Sequence, residues 1–235
     1  MISLRGLHRF WTTDRGLSVL LGSLVALIFI VPMLHSHTET TLLIQMFFTL
    51  IFISGVGAAT RSRAARGIAT TVFIGAIALH WLDYFNPHAG LTTWTAVGRL
   101  LAVGLPTVIV VRHVFREGPI TVQRIQGAVA VYLLLGVAWG GIYELIRGIW
   151  PGAFRLPEVP QSRSELATYL TYYSFVTLTT MGYGDITPLH PAARSAAILE
   201  ALTGQLFPAI LIARLVAMEL SARERGGPSR SHSGG

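Results

Sequence analysis

The sequence predicts an all-α membrane protein with six transmembrane helices and a re-entrant helix and loop between the fifth and sixth. Three observations predict it. The 235 residues are 52% hydrophobic and 12% charged, with mean hydropathy +0.58, a balance typical of membrane chains. Six apolar runs recur along the chain, and ~20 apolar residues are enough to span a bilayer. Between the last two runs lies a more polar segment, 147–191, that carries a Gly-Tyr-Gly turn.

The elements follow in order. Residues 1–15 are polar, with Arg5, Arg9 and Arg15 among Leu4, Leu7, Phe10 and Trp11, and form a short N-terminal segment. The first apolar run, Gly16 to Leu34, is long for a signal peptide, and no small-residue cleavage site follows it. It reads as an uncleaved first span. The second run is Leu42 to Ala59, the third Ile68 to Leu82, the fourth Val97 to Val111 and the fifth Ile125 to Ile146. Residues 16–116 thus form a four-helix module and 120–220 a second module. The sixth run is Ala192 to Leu220, and the Ser-, Gly- and Arg-rich tail 221–235 reads as disordered. With so short a tail, no attached nucleotide- or calcium-binding domain is expected.

Charge sets the orientation. All 18 basic residues are arginine, and the net charge is +7. They are scattered through short loops, which argues for topology signals rather than a nucleic-acid surface. With the N-terminus inside, each inner segment carries at least three: Arg5, Arg9, Arg15; Arg61, Arg63, Arg66; Arg112, Arg116, Arg124; Arg223, Arg225, Arg230. This satisfies the positive-inside rule and places both termini in the cytoplasm of a multi-pass inner-membrane protein. Trp11, Trp81, Trp94 and Trp150 fall near span boundaries, as interface anchors do. There is no cysteine, so disulfides and thiolate metal sites are excluded. H-E-x-x-H, G-x-S-x-G and phosphate-loop patterns are absent as well, so no enzyme and no cofactor is expected.

The decisive stretch is Thr179-Thr180-Met181-Gly182-Tyr183-Gly184-Asp185. A cation stripped of water needs a cage of oxygens. Consecutive carbonyls supply one if the backbone alternates between ordinary and left-handed regions, which glycine reaches without steric cost. Gly182 and Gly184 suit that alternation, with the Tyr183 ring turned outward. The stretch resembles the potassium-channel selectivity filter, usually T-V-G-Y-G-D, and the likeness extends from Tyr169 through Pro188. That filter is the reference case for carbonyl-ring selectivity. The resemblance implies that K+ is held by the carbonyls of Thr180, Met181, Gly182 and Tyr183 and by the Thr180 hydroxyl. One loop makes a quarter of such a ring, so it implies a homotetramer in membrane lipid. Met181 stands where the family usually has Val or Ile.

The surrounding residues take roles from the same resemblance. Residues 165–178 read as a pore helix, with Ser164 as its cap and Glu165 in its first turn. Asp185 is expected to bond an aromatic residue of that helix, here Tyr172 or Tyr173 in place of the usual Trp. Gly204, followed by Pro208, stands where relatives bend the inner helix, and Pro208 lacks the N–H that would bond the Gly204 carbonyl. Glu200 is expected to support the filter, because an ionisable group inside a membrane faces protein or water. Arg214 is expected to face away from the pore.

Six spans and one pore loop resemble the voltage-gated layout. The fourth span lacks its arginine repeat, having Arg99 at one end and Arg112 at the other, with Pro106 between. Conventional voltage gating is therefore not expected. The histidines His35, His37, His80 and His88, with Asp83, match no metal motif, and His190 is the better proton-sensor candidate. The sequence thus reads as a bacterial-type potassium channel. The alternatives are a non-selective cation pore or a Trk/Ktr-type transporter. The latter usually has four loops in one chain, each with a single filter glycine.

Overall fold

The computed structural model describes residues 15–30, isolated positions between 67 and 78, and residues 92–115 and 121–226. The expected second span, most of the third, the segment before Arg15, the histidines at 35, 37, 80 and 88, and residues 227–235 lie outside the described residues.

Helix α1, Arg15–Val25, passes into a π-helical turn at Ala26–Ile30. Helix α2, Thr92–Val114, is longer than its apolar run and carries Pro106 inside it. The backbone tolerates that missing N–H, as packed membrane helices do, and the Thr107 hydroxyl bonds the Val103 carbonyl at 2.7 Å one residue on. Helix α3, Val122–Ile149, begins at Thr121, whose hydroxyl accepts from the Arg124 N–H. It ends at Trp150, whose N–H closes on the Ile146 carbonyl at 2.9 Å. Helix α4, Arg163–Leu178, is too short to be a span. Helix α5, Pro191–Gly226, opens on proline, which is preorganised for a first turn.

Helices α1, α2 and α4 all pack on α3. Leu17, Leu20 and Leu24 form one stripe of α1 and meet Val103, Val110 and Val114 of α2 over Ala128, Val131, Leu134 and Val137 of α3. Lipid is as apolar as leucine. The gain here is therefore close van der Waals fit rather than water exclusion. Small residues set that fit: a Cβ on Gly127 would lie 3.1 Å from Val114.

A second core joins α3 to α4. Tyr143, Phe154 and Tyr173 meet edge to face, with ring centroids 4.9–5.5 Å apart, the geometry favoured by ring quadrupoles. Ala153, Leu170, Ile186 and Ala193 close around them. A two-residue antiparallel ladder pairs β1 (Phe154–Arg155) with β2 (Thr187–Pro188) and ties the segment before α4 to the segment after the Gly-Tyr-Gly turn.

Two described helices, Val122–Ile149 and the Pro191–Leu220 part of α5, are long and apolar enough to cross a membrane. The second is mostly uncovered: Ile198, Leu199, Leu202, Leu206, Ile210 and Ile212 are all exposed. Such a face needs lipid or another protein surface. The helix also continues through Gly226, beyond the Leu220 end read from the sequence.

Candidate functional site

The site is built on α4. Its cap is Ser162, not the expected Ser164: the Ser162 hydroxyl accepts from the Glu165 N–H at 3.1 Å. Glu165 reaches back and accepts from the Gln161 N–H at 2.7 Å. The S-x-x-E spacing gives a variant of the capping box, in which the glutamate takes the N–H one residue before the cap, and a carboxylate at the positive end of the helix is itself favourable. Ser164 instead gives its carbonyl to the Thr168 hydroxyl.

After Leu178 the chain turns back on its own helix. The N–H of Thr179 bonds the Phe175 carbonyl at 3.0 Å and that of Thr180 the Thr177 carbonyl at 2.9 Å. The N–H groups of Met181 and Gly182 share the Val176 carbonyl at 2.9 and 3.3 Å. In a trans peptide the C=O points opposite to the N–H that follows it. The carbonyls of Thr179, Thr180 and Met181 therefore face away from α4. Left-handed φ values fall at alternate residues: Thr180 at 59°, Gly182 at 59° and Gly184 at 80°. The two glycines take the conformation their sequence positions suggest. Thr180 takes it too, at a cost of about 1–2 kcal/mol for a residue with a Cβ. Residues 179–185 are all exposed on the single chain, with Met181 at 59% and Tyr183 at 64%.

The expected aromatic partners divide the work between them. The Tyr172 hydroxyl hydrogen-bonds Asp185. Tyr173 is buried in the three-ring cluster, and its hydroxyl pairs with Thr177 one turn on. His190 stacks on Trp150 with centroids 4.4 Å apart. Its Nδ1 accepts from the Ala192 N–H at 3.2 Å, so it caps α5.

Helix α5 runs beneath this turn. Gly204 is required by contact: a Cβ there would collide with the Leu178 carbonyl at the end of α4. The Tyr132 hydroxyl donates to that same carbonyl at 3.3 Å. Gln205 donates from Nε2 to the Thr180 hydroxyl oxygen at 3.0 Å. The helix is continuous through Gly204 and Pro208. Arg214 turns toward α2, donating to the Phe115 carbonyl at 2.8 Å and lying over its ring.

Behind α4, Glu200 is fully buried. It meets the Tyr143 hydroxyl of α3 and the Ser174 hydroxyl of α4. Ser174 Oγ also lies 2.7 Å from the Gly136 carbonyl. Sequence reasoning singled out Glu200 but neither hydroxyl partner. It also passed over Gly136 and Gly140, where α4 packs tightly on α3: Cβ atoms there would lie 2.5 Å from the Phe175 ring and 3.0 Å from the Thr171 hydroxyl. The G-x-x-x-G spacing carried that signal.

Residues 131–220 match an ion-channel family. The model is Ion_trans_2, described as ion channel, and the matched stretch runs from α3 through α5. It takes in α4 and the loop after it and leaves out α1 and α2. Over 45 residues, 19% of its length, the chain is 47% identical to Protein LctB of Bacillus caldotenax, and those residues span 33% of that relative. No solved structure matches the chain. The family match, with two helices of spanning length, supports a membrane protein that conducts ions and points away from an enzyme.

Proposed function

We propose that the chain is one subunit of a homotetrameric, potassium-selective channel that passes K+ passively across the inner membrane, with both termini cytoplasmic. The observation that carries this reading is the backbone of Thr180–Gly184. Left-handed φ alternates there, and successive N–H groups turn back to α4. That arrangement frees carbonyls on the opposite edge to replace a hydration shell. Four such edges around an axis close the ring, with K+ held by the carbonyls of Thr180, Met181, Gly182 and Tyr183 and by the Thr180 hydroxyl. The exposure of Met181 and Tyr183 on one chain supports a site completed by neighbouring copies. The C-terminal end of α4, where the helix dipole is negative, lies at Leu178 and favours a cation beyond it. Tyr172 with Asp185, and Glu200 with its hydroxyl partners, support the filter from either side. Gly204 and Pro208 are the positions at which the inner helix bends on gating.

The test is current from purified protein in a planar bilayer, with potassium on one side and sodium on the other. Reversal near the potassium equilibrium potential is expected. Reversal near zero would overturn selectivity and leave a non-selective cation pore, with Met181 the first residue to replace by valine.

A further inference from the structure

Glu200 is buried on α5 behind α4, and its hydrogen bonds join α3, α4 and α5. We infer that Glu200 is held as a neutral carboxylic acid that donates its own proton to Ser174, and that this directed chain of hydrogen bonds positions the pore helix between α3 and α5. The inference does not depend on which ion the pore passes.

Counting protons carries it. The Gly136 carbonyl can only accept, and Ser174 Oγ lies 2.7 Å away. The serine proton must lie between them, because two oxygens at that distance with no proton repel each other. A hydroxyl has one proton to give. Ser174 Oγ nevertheless makes a second short contact, 2.5 Å, with Glu200 Oε1. The proton in that contact therefore comes from Glu200. The other carboxyl oxygen, Oε2, accepts from the Tyr143 hydroxyl. The order is Tyr143 O–H to Oε2, then Oε1–H to Ser174 Oγ, then Ser174 O–H to the Gly136 carbonyl. Each proton is used once.

The ionised alternative fails twice. A carboxylate would draw the Ser174 proton to itself and leave that oxygen facing the Gly136 carbonyl with nothing between. It would also place a full charge at 0% exposure with two neutral hydroxyls as its partners. Burying an unpaired charge costs far more than keeping the proton. Among the described residues, the titratable groups that interact electrostatically with Glu200 are Tyr132 and Tyr143 on α3 and Tyr173 on α4. All are phenols, uncharged at neutral pH, so none supplies a counter-charge. The chain fastens α4 at Ser174, on the same short helix that ends in the Thr179–Asp185 turn.

The experiment is infrared spectroscopy of the full chain in lipid at neutral pH, taken as wild type minus Glu200→Gln. The expected difference is a carbonyl-stretch band of a protonated carboxylic acid, present in wild type and lost in the variant. Loss of a carboxylate band instead would overturn the inference. Glu200→Gln should fold with a thermal midpoint close to wild type, since its amide donates to Ser174 and accepts from Tyr143 as the neutral acid does. A variant that fails to fold also overturns it, because only an ionised side chain would be missed. Ser174→Ala should move the band to higher frequency, since the acid loses its acceptor; an unmoved band would remove Ser174 from the chain.

Discussion

At Gly182 the backbone sits at φ 59°, and a Cβ would meet nothing within 4 Å. Substitution there is limited by conformation rather than by space. Gly182→Ala costs about 1–2 kcal/mol per chain in the left-handed region, and the cheapest relief is a flipped peptide that turns a carbonyl away from the ion path. We expect potassium flux to be lost while assembly persists, checked by flux assay alongside native mass. Normal flux would remove the filter assignment. Tyr172 offers a second test at this scale. Its hydrogen bond to Asp185, ahead of desolvation and the Asp185 charge, holds its hydroxyl above the ordinary tyrosine value of 10.0. A raised value means that the contribution is complete below pH about 10 and is lost as pH rises through the folded value. Channel currents should therefore change their decay only in strong alkali, and Tyr172→Phe should abolish that alkaline step. The contact is partly exposed, so its loss should cost at most about 1 kcal/mol of stability.

Close approach governs the elements. A Cβ on Gly204 meets the Leu178 backbone carbonyl, whereas on Gly136 it meets the edge of the Phe175 ring, and on Gly140 the Thr171 hydroxyl and Cα. Backbone cannot turn aside as a side chain can. Gly204→Ala should therefore be the most destabilising of the three, above the usual overpacking range of about 1–3 kcal/mol, and Gly136→Ala should fall within it. Thermal unfolding of the three variants in detergent checks the order; equal midpoints would make Gly204 a hinge position without a packing role. These glycines also mark how far the sequence could be read. The run Thr179–Asp185 was legible because the glycine spacing follows from the backbone conformation it must adopt. The last two spans were legible from apolar length. The Ser162 cap was missed by two residues because Ser164 also precedes a good helix. The β1–β2 ladder and the Glu200 partners were not legible, because they join residues far apart in sequence that share no local pattern. Gly204 was singled out for bending, but what fixes it in the fold is contact with a carbonyl 26 positions earlier, at Leu178.

One chain leaves the apolar face of α5 and the Tyr183 ring uncovered, and its single loop supplies only one edge of the proposed ring. Both facts call for further copies, and a closed ring of four makes a quantitative demand. If every filter needs four intact loops, one Gly182→Ala subunit silences the whole assembly. Subunits mixed at random in equal amounts then leave the fully wild-type fraction, a half raised to the fourth power, or about one sixteenth of the wild-type flux for a closed four-fold assembly. Independent single-chain pores would leave one half, and dimeric pores about one quarter by the same reasoning. The measurement is flux from co-expressed, separately tagged wild-type and variant chains across a series of ratios. A fourth-power fall establishes the ring, and a linear fall would overturn the tetramer whatever the ion. The same recordings, made over a voltage ramp in symmetric potassium, test the role of the segment that precedes α3. Helix α2 has Arg99 near its start and Arg112 near its end, with no charged residue between them. Each elementary charge crossing 100 mV contributes ~2.3 kcal/mol, so steep gating needs several charges within the field. The current should therefore follow voltage without a threshold. A sharp threshold would mean that gating charge moves elsewhere in the chain.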